Sequence, residues 1–86
     1  MANIPSQEKR IKRSERERLE NRRFTSAVKT HFRHLSDAVG AGDAEGAETA
    51  RKRLISTIDR AVQHRALHRN SGARKKARAA RLRAEL

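Results

Sequence analysis

An apolar stripe that begins abruptly inside an unbroken helical run sets what this chain can fold into. From Ser6 to Val39 no Gly or Pro interrupts the sequence, and most residues there favour the helix. Toward the end of that run Phe24, Val28, Phe32, Leu35 and Val39 recur at steps of three and four, on one helical face. Carried backward, the same face reads Asn21, Glu17, Ser14, Arg13 and Arg10, which cannot be a core. The pattern predicts one helix over about 6–39, roughly 50 Å long at 1.5 Å per residue, buried only along its second half. The first half must project.

The remaining punctuation divides the chain further. Met1 to Pro5 reads as an extended lead-in, because Pro5 disfavours the helix at Ile4, and Ser6 stands at the expected N-cap. Gly40-Ala41-Gly42-Asp43 is a stop and a restart, with Gly40 suited to the left-handed helix end and Asp43 to the next cap. So short a link makes the flanking helices antiparallel neighbours. The second helix, over about 43–64, gathers Ala47, Ala50, Leu54, Ile55, Ile58, Ala61 and Val62 on one side. Gly46 weakens its first turn, and Arg51 borders the apolar stripe with its head expected in water. A connector carrying Leu67 leads to a third helix over about 70–85, with Asn70 as the expected cap. There Ala73, Ala77, Ala80 and Ala84 form a small-residue face and Leu82 and Leu86 lie roughly opposite, which leaves the docking face open. Gly72 is a further weakness in that helix. The fold class is all-α: one domain over 1–86, a three-helix bundle with a long, projecting first helix. Phe24, Val28, Phe32, Leu54, Ile55 and Ile58 are the expected core.

Charge narrows the function. The 86 residues carry a net charge of +12, with 37% charged and 35% hydrophobic residues, a balance that points to nucleic acid or an anionic membrane surface. The first helix is mixed, since Glu8, Glu15, Glu17 and Glu20 sit among its cations. Between Arg60 and Ala84, by contrast, nine Lys or Arg occur without one Asp or Glu. Single-strand binders stack bases on aromatic platforms, yet Trp and Tyr are absent and both Phe stand at core spacing. That leaves backbone and shape recognition of a folded or double-helical target, for which arginine's forked geometry is suited. No apolar run reaches the roughly 20 residues of a spanning helix, and no signal-peptide pattern opens the chain, so it is expected to stay in the cytosol.

Other chemistry finds little support in the residues. His31 and His34 are three apart and His64 and His68 four apart, a spacing that invites a metal. Arg65, however, stands where a zinc-protease helix carries its glutamate base, and no cysteine is available. No metal and no cofactor is expected. Ser6, Ser26, Ser36, Ser56 and Ser71 have no base-and-orienter set, so the chain is read as not an enzyme. Asp59, beside Arg60, is expected to be solvated rather than paired across the bundle.

Ala2-Asn3-Ile4, Lys9-Arg10-Ile11, Asn21-Arg22, Gly42-Asp43, Ile58-Asp59-Arg60-Ala61 and especially His68-Arg69-Asn70 with Ala73-Arg74-Lys75-Lys76 and Arg78 resemble the bacterial small-subunit ribosomal protein S-twenty family. The likeness runs over almost the whole chain in the family's order. It implies a structural ribosomal protein: a three-helix bundle that binds small-subunit ribosomal RNA directly and early in assembly, with few or no protein contacts required and no membrane. In the family the protein lies at the bottom of the subunit. Arg65 stands where the family usually has Gly, so the turn there is either built differently or carries a left-handed arginine. Gly72 replaces a usual alanine and Ala79 a usual leucine.

On this reading Lys9, Arg10, Lys12, Arg13, Arg16, Arg22 and Arg23 run along RNA backbone from the first helix. His68, Arg69, Arg74, Lys75, Lys76, Arg78 and Arg81 do so from the third. The alternative within nucleic-acid binding is a histone-like architectural DNA-binding protein, for which no exposed Phe, Ile or Pro wedge is expected. A basic amphipathic helix on an anionic membrane is a third class, and its apolar aromatic face is missing.

Overall fold

Three helices account for nearly all of the chain in a computed structural model, which describes the backbone of residues 4–86 and side chains from Glu8 onward. They are α1 (Ile4–Gly40), α2 (Ala44–Gln63) and α3 (Arg69–Ala84), and the described residues include no strand. The extended lead-in expected at residues 1–3 lies outside the described residues. α1 begins before the expected Ser6 cap, so Pro5 falls within its first turn, where its missing N–H breaks no helical bond.

Both inter-helix turns close by the same device. After α1, Gly42 donates to the Val39 carbonyl and Asp43 to the Ala38 carbonyl, at 3.1 and 2.9 Å. This is a Schellman motif with Gly42 at φ 71 in the left-handed position. Gly40, expected to end the helix this way, is still helical. After α2, Arg65 donates to Val62 and Ala66 to Ala61, at 3.0 and 2.8 Å, and here the left-handed residue is Arg65 at φ 60. Of the two ways the turn could be built, the chain uses the left-handed arginine, at the cost that a Cβ carries there.

Asp43 caps α2, its carboxylate accepting from the Gly46 amide at 3.0 Å. α3 is capped two residues earlier than expected. His68 is the N-cap, its Nδ1 accepting from the Asn70 amide at 3.1 Å. Asn70 therefore lies inside the helix and exposed.

α2 is the hub, packed against α1 on one side and α3 on the other. Leu35 of α1 and Leu54 and Ile58 of α2 are fully buried, each such side chain contributing roughly 1.5–3 kcal/mol of transfer free energy. Val28, Ala47, Ala50 and Ala79 complete the cluster, with Phe32, Ala38, Val39, Leu67 and Leu82 packed around it. Of the expected core, Val28, Leu54 and Ile58 are buried, whereas Phe24, Phe32 and Ile55 are half-buried.

α3 docks through Gly72 and Ala79. The small-residue face of Ala73, Ala77, Ala80 and Ala84 is exposed instead. Gly72 is a close approach: a Cβ there would meet Val62 Cγ2 at 2.6 Å. Before Asn21, α1 leaves the bundle, and every described residue from Glu8 to Glu20 is exposed. The radius of gyration, 17.1 Å, exceeds the roughly 12 Å of a compact chain this long. The extents of 63 × 21 × 13 Å show where the excess lies.

Candidate nucleic-acid interface

The cations of this chain fall into two populations, distinguished by whether the fold already uses them. Lys9, Arg10, Lys12, Arg13 and Arg16 stand on the projecting rod, and Arg22 and Arg23 where it enters the bundle, all exposed. Of these, the structure pairs Arg13 with Glu17, an i,i+4 contact of 3.2 Å open to solvent and worth only a few tenths of a kcal/mol. On α3, Arg74 and Arg81 are exposed and carry no ion pair among the described residues. Arg69 is exposed in the first turn and Lys75 is half-buried. His68 is exposed as well, but Nδ1 is occupied by the cap, which leaves Nε2 for any partner.

The second population holds α3 in place. Lys76 donates to Asp59 on α2 at 2.9 Å, so Asp59, expected to be solvated, is paired across the bundle. Arg78 lies over the Phe32 ring of α1, 4.8 Å from its centroid, a cation–π contact. Arg83 donates to Glu48 at 3.1 Å. Glu48 also receives the Arg51 guanidinium through two donors, so the Arg51 head, expected in water, is tied to a carboxylate. These arginines, Arg51 first, hold the Glu48 carboxyl well below the usual range, at about 2.

Sequence reasoning did not single out Glu48 or Arg33, nor the exposed apolar side chains of the rod. Ile11 is 58% and Leu19 52% exposed, contrary to the expectation that no apolar wedge is presented. The signal for them was available, because a face that cannot reach a core leaves its apolar residues in water.

The histidines do not converge on a metal geometry. Phe24 stacks on His64 at 5.0 Å, closing the bundle where α1 departs. His31 and His34 meet edge to face at 5.9 Å. Burial first, then His34 and Arg53, push the His31 imidazole below the ordinary histidine value. Among the described residues no three potential ligands gather as a metal site requires, and no helix is long and apolar enough to cross a membrane.

A protein-family model described as "Ribosomal protein S20" matches residues 2–83. The chain belongs to that ribosomal protein family. Curated relatives agree over nearly the full length. The small ribosomal subunit protein bS20 of Cyanothece sp. is 47% identical, over 94% of this chain and 89% of the relative. Its counterpart in Frankia casuarinae is 43% identical over 100% and 97% of the two chains. That of Microcystis aeruginosa is 48% identical over 90% and 87%. The family is one of structural ribosomal proteins rather than enzymes, and its matched span takes in the rod, the bundle and nearly all of α3.

Proposed function

We propose that this chain binds small-subunit ribosomal RNA directly, through the rod of α1 and the outward face of α3, and so helps assemble the small ribosomal subunit. The observation that carries the reading is the rod itself. A helix exposed on every side from Glu8 to Glu20 buries nothing within its own chain, and isolated helices in water are marginal without packing. Its cations are open to phosphate, and the bS20 relatives are small-subunit proteins by name. Lys9, Arg10, Lys12, Arg13, Arg16, Arg22 and Arg23 track the RNA from α1. Arg69, Arg74, Lys75 and Arg81 do so from α3, joined by the free edge of His68. Lys76 and Arg78 contribute as well, by exchanging or sharing their intramolecular partners.

The test is binding of the intact chain to small-subunit ribosomal RNA across a salt series. Each phosphate neutralised adds roughly 0.7–0.9 to the slope of log affinity against log salt. Replacing Arg10, Arg13, Arg16 and Arg74 by Gln should flatten that slope by about three units if each neutralises one phosphate. A slope unchanged in this variant removes both helices from the footprint.

A further inference from the structure

A groove opens between the C-terminal parts of α1 and α3, about 510 Å³ in volume, and three arginines line it: Arg33, Arg78 and Arg81. We propose that it seats one backbone phosphate of the RNA, gripped by these three guanidiniums. The proposal rests on the RNA-binding reading and names a site within it. Arg33 is exposed and makes no ion pair among the described residues.

The chain treats its cations in two contrasting ways. Where charge fixes α3 to α2, a carboxylate is supplied at contact distance: Asp59 for Lys76 and Glu48 for Arg83. In the groove Asp37 and Glu85 are present in the lining, yet neither forms an ion pair with any of the three arginines. Three guanidiniums against two carboxylates leave one unit of positive charge. An anion completes the arrangement.

Arg78 supplies the geometry. Its guanidinium carbon sits over the Phe32 ring, 4.8 Å from the centroid, a cation–π contact that leaves its N–H donors without an oxygen acceptor. The ring contact restrains the guanidinium without pairing its donors, so less side-chain freedom remains to be lost on binding. Arg33 comes from α1 and Arg81 from the turn of α3 following Arg78, so donors reach the groove from both helices. Tetrahedral oxyanions match such converging forks, with paired N–H···O bonds of the charge-assisted kind. Arg81 also lies in the last turn of α3, where arginine offsets the negative end of the helix dipole. The experiment must separate that structural role from ligand binding.

Arg33→Gln, Arg81→Gln and the double variant would be measured in the intact chain for RNA affinity over a salt series and for melting temperature. A Lys52→Gln, Arg53→Gln double variant would serve as the control of equal net charge. The groove double variant should lose affinity about tenfold more than the control and flatten the log–log slope by roughly 0.7–0.9, one phosphate, with its melting temperature unchanged. Equal losses in the two double variants would reduce the effect to net charge and overturn the site. A fall in melting temperature accompanied by unchanged affinity would assign the arginines to the stability of the fold and overturn the site.

The two acids give a second arm. Asp37→Asn and Glu85→Gln should each tighten RNA binding several-fold if the occupant is an anion. Weaker binding would mean that the carboxylates read base amino groups, and the phosphate assignment fails. Titration of the free wild-type protein with inorganic phosphate should shift the Arg33, Arg78 and Arg81 Nε–H resonances together. No shift at millimolar phosphate excludes a preformed site. A wild-type chain that binds no RNA overturns the wider reading, whereas silent groove variants in a chain that binds overturn the groove alone.

Discussion

The two halves of α1 share one helix, one backbone geometry and much the same helix propensity, yet they stand in opposite relations to the rest of the molecule. From Asn21 onward the helix lays Val28 and Leu35 against α2. From Glu8 to Glu20 every residue is exposed. The comparison teaches that propensity and capping make a helix available, whereas packing decides whether it is held. Charge is used differently elsewhere in the molecule: Lys76, Arg83 and Arg78 of α3 meet Asp59, Glu48 and the Phe32 ring, whereas the rod's one ion pair among the described residues is the exposed Arg13–Glu17 contact.

The largest effect should come from removing equivalent side chains from the two halves. Leu35→Ala deletes a fully buried side chain and should cost about 2–5 kcal/mol. Leu19→Ala, in the exposed rod, should change isolated-protein stability by less than about 0.5 kcal/mol. Denaturant unfolding checks both, and comparable losses would break the distinction between the halves. Amide exchange sharpens it further. Protection in the free protein should be strong from Val28 to Leu35 and along α2, and near none at Glu8 to Arg18, rising in the rod once RNA is bound.

A smaller effect lies at the turn that ends α2. Arg65→Gly relieves the left-handed arginine and should raise stability by about 0.5–1 kcal/mol, once glycine's greater freedom in the unfolded chain is subtracted. The gain should appear in the bundle and leave exchange in the rod unchanged.

Acid should act on the bundle half through Glu48. Because its folded value lies at about 2, below the ordinary glutamate value near 4.3, its contribution is fully present above that ordinary value. It is lost as pH falls toward 2. His31 works in the same direction at milder pH: its imidazole is lowered by folding, so the unfolded chain takes up the proton first and stability falls with pH. A Glu48→Gln variant should lose the steeper acid limb and keep the shallower one, read from melting temperature against pH. Retention of both limbs would take the Arg51–Glu48–Arg83 link out of the bundle's stability.

Much of this architecture was legible in the residues, for reasons that also explain what was not. The Phe24–Val39 stripe and its polar continuation toward Arg10 show where α1 packs and where it leaves, because apolar periodicity reports burial directly. α3 gave no such signal. Its buried positions are Gly72 and Ala79, which carry almost no apolar surface, and only Leu82 marks the docked side with a large apolar group, while the conspicuous alanine face turned outward. The cap was misplaced for a related reason: Asn70 is a common capping residue and His68 an uncommon one, and only the turn geometry decides between them. Among the cations of the candidate interface, exposure on the rod followed from the stripe. The pairings of Lys76 with Asp59 and of Arg83 with Glu48 join residues 17 and 35 positions apart, a distance that no local pattern reaches.

The contact at Gly72 has a consequence for how the sequence of this chain can drift. Gly72 and Ala79 are small residues that both lie on the docked face of α3. A methyl added at Gly72 would meet Val62, and bulk added at Ala79 would enter a position with no free surface. Growth at either position therefore needs a second change across the interface, and a trimmed Val62 is the step that would release Gly72.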